Sequence, residues 1–179
     1  MKLRPFLLLE AEIRRELSNL DAVREMLRNR KLWDNPDSLV QLEDDPLLLK
    51  GVAASIADYY LGVENICKTV AQAIDHQLPS GEDWHKKLLQ QASLDIPGLR
   101  PSLISQPTYA ALDELRRFRH VVRNVYGHLL DPERVAALLA RLPQIDTGVR
   151  RDIETFLNRL RREATRERRQ ENVDGPEPE

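Results

Sequence analysis

Apolar residues recur three and four positions apart along most of the chain, the period of an amphipathic helix. Leu9, Ile13, Leu17, Leu20, Val23 and Leu27 form one stripe and predict a first long helix ending near Trp33. From Asp34 to Asp45 there are five acids, no base and one proline, which reads as an exposed connection. Asp45 followed by Pro46 has the form of an N-cap with proline in the first turn. It opens a second long helix through Val52, Ile56, Tyr59, Val63, Ile66, Val70 and Ile74 to about His76. Pro79, Ser80 and Gly81 interrupt the pattern, and Ser80 with Asp83 three residues on predicts the cap of a short helix carrying Trp84, Leu88 and Leu89.

A loop over Pro97 to Pro101 precedes a third long helix, which starts near Pro107 and runs through Leu112, Leu115, Phe118, Val122, Val125 and Leu129. Asp131 and Pro132 start a new short helix. Pro143 to Gly148 then separates it from a last helix striped by Val149, Ile153, Phe156 and Leu160. No stretch alternates with period two, and there is no internal repeat. The expected fold is therefore all-α: an antiparallel four-helix bundle with additional short helices. Residues 1–167 read as one domain. Residues 168–179, charged and with nothing apolar after Val173, read as an acidic, disordered tail.

With 179 residues, roughly two thirds of the unfolded surface can be buried, so the core needs neither disulfide nor metal. The single cysteine, Cys67, lies in an apolar stripe and reads as an inert, buried thiol of a reducing compartment, which favours the cytoplasm. The run Phe6 to Leu9 is too short for a signal segment or a membrane span. Charge is unevenly spread. Residues 1–99 hold 12 basic and 16 acidic side chains, residues 100–169 hold 15 and 9, and residues 170–179 hold none and 4. Every basic residue of the middle segment is Arg, the side chain suited to bidentate phosphate contacts. A phosphate-bearing partner and a solvated face of Glu–Arg pairs both fit that composition.

The third long helix is the richest in chemistry. At 100° per residue, Leu115, Phe118, Val122, Val125, Tyr126 and Leu129 share the core side. Arg116, Arg117, His120, Arg123, Asn124, Gly127 and His128 share the opposite one. Two His, an Asn and three Arg around a helical Gly are not the Glu and Lys of an ordinary solvated face. The Gly costs about 1 kcal/mol relative to Ala there, which suggests close approach of a backbone or ligand. Arg123 and His128 form Arg-x4-His. With 21 Arg and 4 His in 179 residues, chance supplies roughly half an occurrence, so the spacing alone carries little. The pair would stand about 140° apart on an ideal helix, whereas two copies packed about a two-fold axis could bring both groups to one cleft.

The segment Phe118-Arg119-His120-Val121-Val122-Arg123-Asn124-Val125-Tyr126-Gly127-His128 resembles the signature helix of HEPN-fold proteins, in particular HepT-like ribonuclease toxins. Tyr60 to Ile66, and Leu78 to His85 with Leu88 and Leu89, agree with it, so the similarity spans roughly residues 45–140. The resemblance implies a helical-bundle homodimer that cuts RNA without metal or cofactor, with Arg123 and His128 at the dimer cleft. It also implies a companion minimal nucleotidyltransferase antitoxin. In related pairs that enzyme adenylylates a tyrosine two residues after the motif His, a position that is Leu130 here, and Tyr126 is the remaining candidate acceptor.

RNA cleavage without metal needs a base for the ribose 2′-OH, positive charge at the phosphate, and a proton for the leaving oxygen. His128 suits proton transfer and Arg123 suits the phosphate. Asn124 suits positioning, and His120, Arg116 and Arg119 suit auxiliary phosphate or interface contacts. A metal site is not expected, since His120 and His128 lie about 12 Å apart along a helix. His85, beside Trp84, reads as a packed residue of an amphipathic helix. Asp58 and Glu64 read either as paired carboxylates or as members of helix-surface salt bridges. The Arg-rich last helix, with Arg161 and Arg162, is open to RNA contact, antitoxin contact or packing. The resulting expectation is a metal-independent endoribonuclease. Its alternative is a non-catalytic HEPN interaction or nucleotide-binding module.

Overall fold

The computed structural model describes residues 3–33, 35, 38–124 and 129–173, with backbone only for Ser38 and for 167–173. It is all-helical: α1 (Leu3–Asn29), α2 (Ser38–Asp44), α3 (Pro46–Val70), a π-helical turn (Ala71–Asp75), α4 (Trp84–Ala92), α5 (Gln106–Asn124) and α6 (Pro132–Val173). Helix α3 is the centre and touches every other helix. Its predicted stripe is buried throughout, with Ile56, Tyr59 and Ile66 fully enclosed. Gly62 permits the close crossing of α1 over α3, because a Cβ there would stand 2.5 Å from Leu20 Cδ2.

Both predicted proline-opened helices start as expected. The Asp45 carboxylate accepts from the backbone N–H groups of Leu47 and Leu48, each at 3.0 Å. The Asp131 carboxylate accepts from Glu133 at 3.0 Å. Ser80 does not cap α4. That helix starts at Trp84, and its first N–H bonds the Gly81 carbonyl at 3.2 Å, so backbone supplies the partner expected from a hydroxyl. The first helix stops at Asn29 rather than Trp33. Lys31 turns into the left-handed region at φ 58, and this tucks Leu32 and Trp33 into the core from outside the helix.

Two segments read as connections are helical. Within 34–45, α2 forms because Leu42 is completely buried against the bundle while its neighbours Glu43 and Asp44 stay in water. At 143–148 the helix continues without a break, so the predicted short and last helices are one α6. Pro143 removes a helical N–H at a cost of about 3 kcal/mol, but tertiary contacts on both sides outweigh it. Leu139, Leu142, Ile145 and Val149 are buried there. In the same turns Asp146, also buried, accepts from Tyr59 Oη at 3.0 Å and Arg150 Nε at 2.8 Å, with Arg24 at 3.4 Å. Helix α6 runs to Val173, past the expected start of the tail, and residues 174–179 lie outside the described ones.

Helix α5, which carries Arg123, is fixed at its start by α6. Asp152 Oδ2 accepts from Ser105 N at 2.8 Å, Ser105 Oγ at 2.7 Å and Thr108 Oγ1 at 2.6 Å, acting as a cap from a different helix. The loop before α5 is fixed by Arg100, whose buried guanidinium holds Asp75 through Nε at 2.6 Å and Nη2 at 2.8 Å. Further along α5, Leu112, Leu115 and Phe118 are buried as predicted, whereas Leu129, placed on the core side by the same spacing, is 63% exposed. Its backbone has left α-helical geometry, so the 100° step no longer aims it inward. Val125 lies outside the described residues. No helix among the described residues is long and apolar enough to cross a membrane.

Gly62→Val should lower the free energy of unfolding by about 1–3 kcal/mol through overpacking against Leu20, read from denaturant titration. Burial raises the Asp152 carboxyl, but its hydrogen bonds from Thr108 and Ser105 outweigh this and hold it below its ordinary 3.8. A group depressed on folding stabilises above its unfolded pKa and loses that contribution as pH falls through the folded one. Asp152→Asn should therefore melt below wild type at pH 7, the gap closing as pH drops beneath that ordinary value.

Candidate functional site

The polar side of α5 does not face open solvent alone. Together with the first turn of α4 and the residues before it, it encloses a cavity of about 580 Å³. Arg116, Arg117, Arg119, His120, Arg123 and Asn124 line one side, and Glu82, Asp83, His85 and Lys86 the other. Five cationic side chains against two carboxylates make the lining net +3, His taken as neutral. A concave surface of one sign concentrates the field and draws anions.

The cations are not equally free. Arg116 is committed to Asp113 at 2.8 Å, and Arg117 reaches the same carboxylate at 3.5 Å. Arg119 and Arg123 pair with no carboxylate among the described residues. Their guanidinium groups are the two available to an incoming phosphate. Asn124 Nδ2 donates to the His120 carbonyl at 2.7 Å and lies 3.3 Å from His120 Nδ1, so its amide nitrogen is engaged within its own helix. Five of the seven expected site residues, Arg116, Arg119, His120, Arg123 and Asn124, thus share one cavity. His128 and Tyr126 lie outside the described residues. Leu130 is buried.

The opposite wall and what lies behind it are not among the sequence-predicted site residues. Asp58 is exposed and Glu64 buried, so they are neither paired carboxylates nor two surface residues. Glu64, 2% exposed, bonds His85 Nδ1 through Oε2, and Lys68 Nζ stands 3.1 Å from its Oε1. The His85 ring stacks on Trp84 with centroids 3.6 Å apart, and Lys68 lies over the Trp84 ring at 4.7 Å. Burial, then the neighbouring Glu64 charge, raises the Tyr60 phenol far above its usual range. Burial, again with Glu64 second, pushes the Cys67 thiol up to about 12. The available signal was position: Glu64 and His85 both fall in stretches that matched the family pattern. Among the described residues no three His, Cys, Asp or Glu side chains gather closely enough to hold a metal ion.

A family model described as HepT-like protein matches residues 51–160, from α3 into α6. The chain belongs to the HepT-like family. No curated protein and no solved structure gives a significant match to it. The matched span contains both walls of the cavity and the Glu64 cluster behind it. Outside that span, α1 still contributes to the HepT-like bundle: Glu10 accepts from Arg14 at 3.1 Å and from Arg161 at 2.5 Å, tying α1 to α6. Arg161 also covers Phe6, so this member of the Arg-rich last helix is engaged in packing.

With its thiol buried and raised, Cys67 should resist iodoacetamide at pH 8 in the folded protein and react fully in denaturant. Mass spectrometry of the two samples reads the difference.

Proposed function

We propose that this HepT-like chain is a metal-independent endoribonuclease that acts as a homodimer in the cytoplasm. On this reading it is the toxin paired with a minimal nucleotidyltransferase antitoxin. The observation that carries the proposal is the cavity along α5, where Arg119 and Arg123, without carboxylate partners among the described residues, stand beside His120 and Asn124. A cavity of this charge and size takes a phosphodiester with its flanking ribose in preference to a neutral metabolite. Membership of the HepT-like family supports the same chemistry.

In the proposed reaction the ribose 2′ oxygen attacks the adjoining phosphorus, and the 5′ oxygen departs, leaving a 2′,3′-cyclic phosphate. Arg123 neutralises the charge that grows on the phosphoryl oxygens. Arg119 holds a flanking phosphate, Arg116, committed to Asp113, adds positive charge to the cavity wall, Asn124 keeps His120 in place, and His128 transfers a proton. A dimer brings Arg123 of one copy near His128 of the other, which meets the 140° divergence expected within one helix. Tyr126 is the proposed acceptor for modification by the antitoxin.

Purified protein incubated with total RNA in EDTA should yield fragments ending in 2′,3′-cyclic phosphate. Arg123→Ala or His128→Ala should slow cleavage by about 100-fold or more. Cleavage abolished by the chelator overturns the mechanism. Equal growth of hosts expressing wild type and both variants supports the non-catalytic module instead.

A further inference from the structure

We infer that His85, oriented by the buried Glu64, is a second catalytic imidazole of this cavity and takes the proton from the ribose 2′-OH. The inference rests on the ribonuclease reading above and deepens it, because in-line cleavage needs two proton transfers and that reading assigns one.

Four observations converge on His85. It lines the cavity on the wall facing Arg119, His120 and Arg123. Its Nδ1 meets Glu64 Oε2, which directs the opposite ring nitrogen, Nε2, away from the carboxylate, and Nε2 has no protein partner among the described residues. The ring is held from its face by stacking on Trp84 at 3.6 Å, so carboxylate and indole together fix its position. Finally, Glu64 is 2% exposed, a placement that a residue serving only surface salt bridges does not need.

A carboxylate on Nδ1 selects the tautomer with its proton there and leaves the Nε2 lone pair to accept another. As O2′ bonds to phosphorus, its proton passes to Nε2. The phosphorus–O5′ bond breaks, and O5′ takes the proton assigned above to His128. The imidazolium formed at His85 is balanced by Glu64, whose charge is desolvated and held in place by Lys68 at 3.1 Å. Glu64 is a positioning residue, since it acts on substrate only through the ring.

The test uses the full chain, a 5′-labelled single-stranded RNA of mixed sequence, and EDTA throughout. His85→Ala should lower kcat by about 10²- to 10⁴-fold with KM within a few-fold of wild type, and added imidazole should restore part of the lost rate. Glu64→Gln, which keeps an acceptor for Nδ1 but loses the charge, should lower kcat less than His85→Ala does. Where His85→Ala fails to fold by circular dichroism, His85→Gln is measured in its place, with the same kcat and KM expected. Unchanged kcat in a folded His85 variant, or a His85→Ala loss that imidazole does not restore, overturns the assignment. If the wild type cleaves and Arg123→Ala does not, that failure leaves the ribonuclease reading standing. A wild type that leaves RNA intact overturns both.

Discussion

Helix α3 passes through the middle of the molecule, and two of the polar side chains it carries, Tyr59 and Glu64, are buried away from water. Each needs a polar partner, because a buried charge or hydroxyl without one costs several kcal/mol. Tyr59 is met by Asp146 of α6, and Glu64 by His85 of α4. These two demands hold α6 and α4 against the same helix. Because α5 packs on α3 between them, the distance between the cavity's two walls follows from how α3 satisfies its own side chains. The candidate site is thus shaped by the constraint that makes α3 polar at two buried points.

Much of the fold was legible because it is local. Asp45–Pro46 and Asp131–Pro132 place side-chain acceptor and ring in the first turn, and no distant residue changes what those atoms do. The apolar stripes of α1 and α3 were readable for the same reason. Where the reading failed, a tertiary contact reversed a local preference. Pro143 disfavours helix by a fixed amount, but Asp146, Ile145 and Val149 anchor the following turn to the bundle. In α2 Leu42, helped by the partly buried Leu39, supplies enough burial to order a segment whose composition is that of a loop.

The candidate site divides the same way. The α5 wall was visible in advance, since two His, an Asn and several Arg on one helical face declare themselves by residue type and spacing. The α4 wall was not. Nothing in the string Glu82-Asp83-Trp84-His85-Lys86 states which helix it will oppose. The four-residue spacing from Glu64 to Lys68 is also the same whether the pair is wet or dry. Covering by α4 turns an ordinary ion pair into a desolvated carboxylate, and that covering is a property of the whole bundle.

The π-helical turn at Ala71–Asp75 has a consequence of its own. Widening one turn of a helix is equivalent to inserting a residue into it, and everything beyond is rotated by about a third of a revolution. At the end of this turn Asp75 meets Arg100 while Ile74 faces inward. Excising one residue here would leave a more regular helix and a carboxylate pointing elsewhere, releasing the peptide that delivers α5. The irregular turn therefore serves as a mooring for the loop that leads into the arginine-bearing helix.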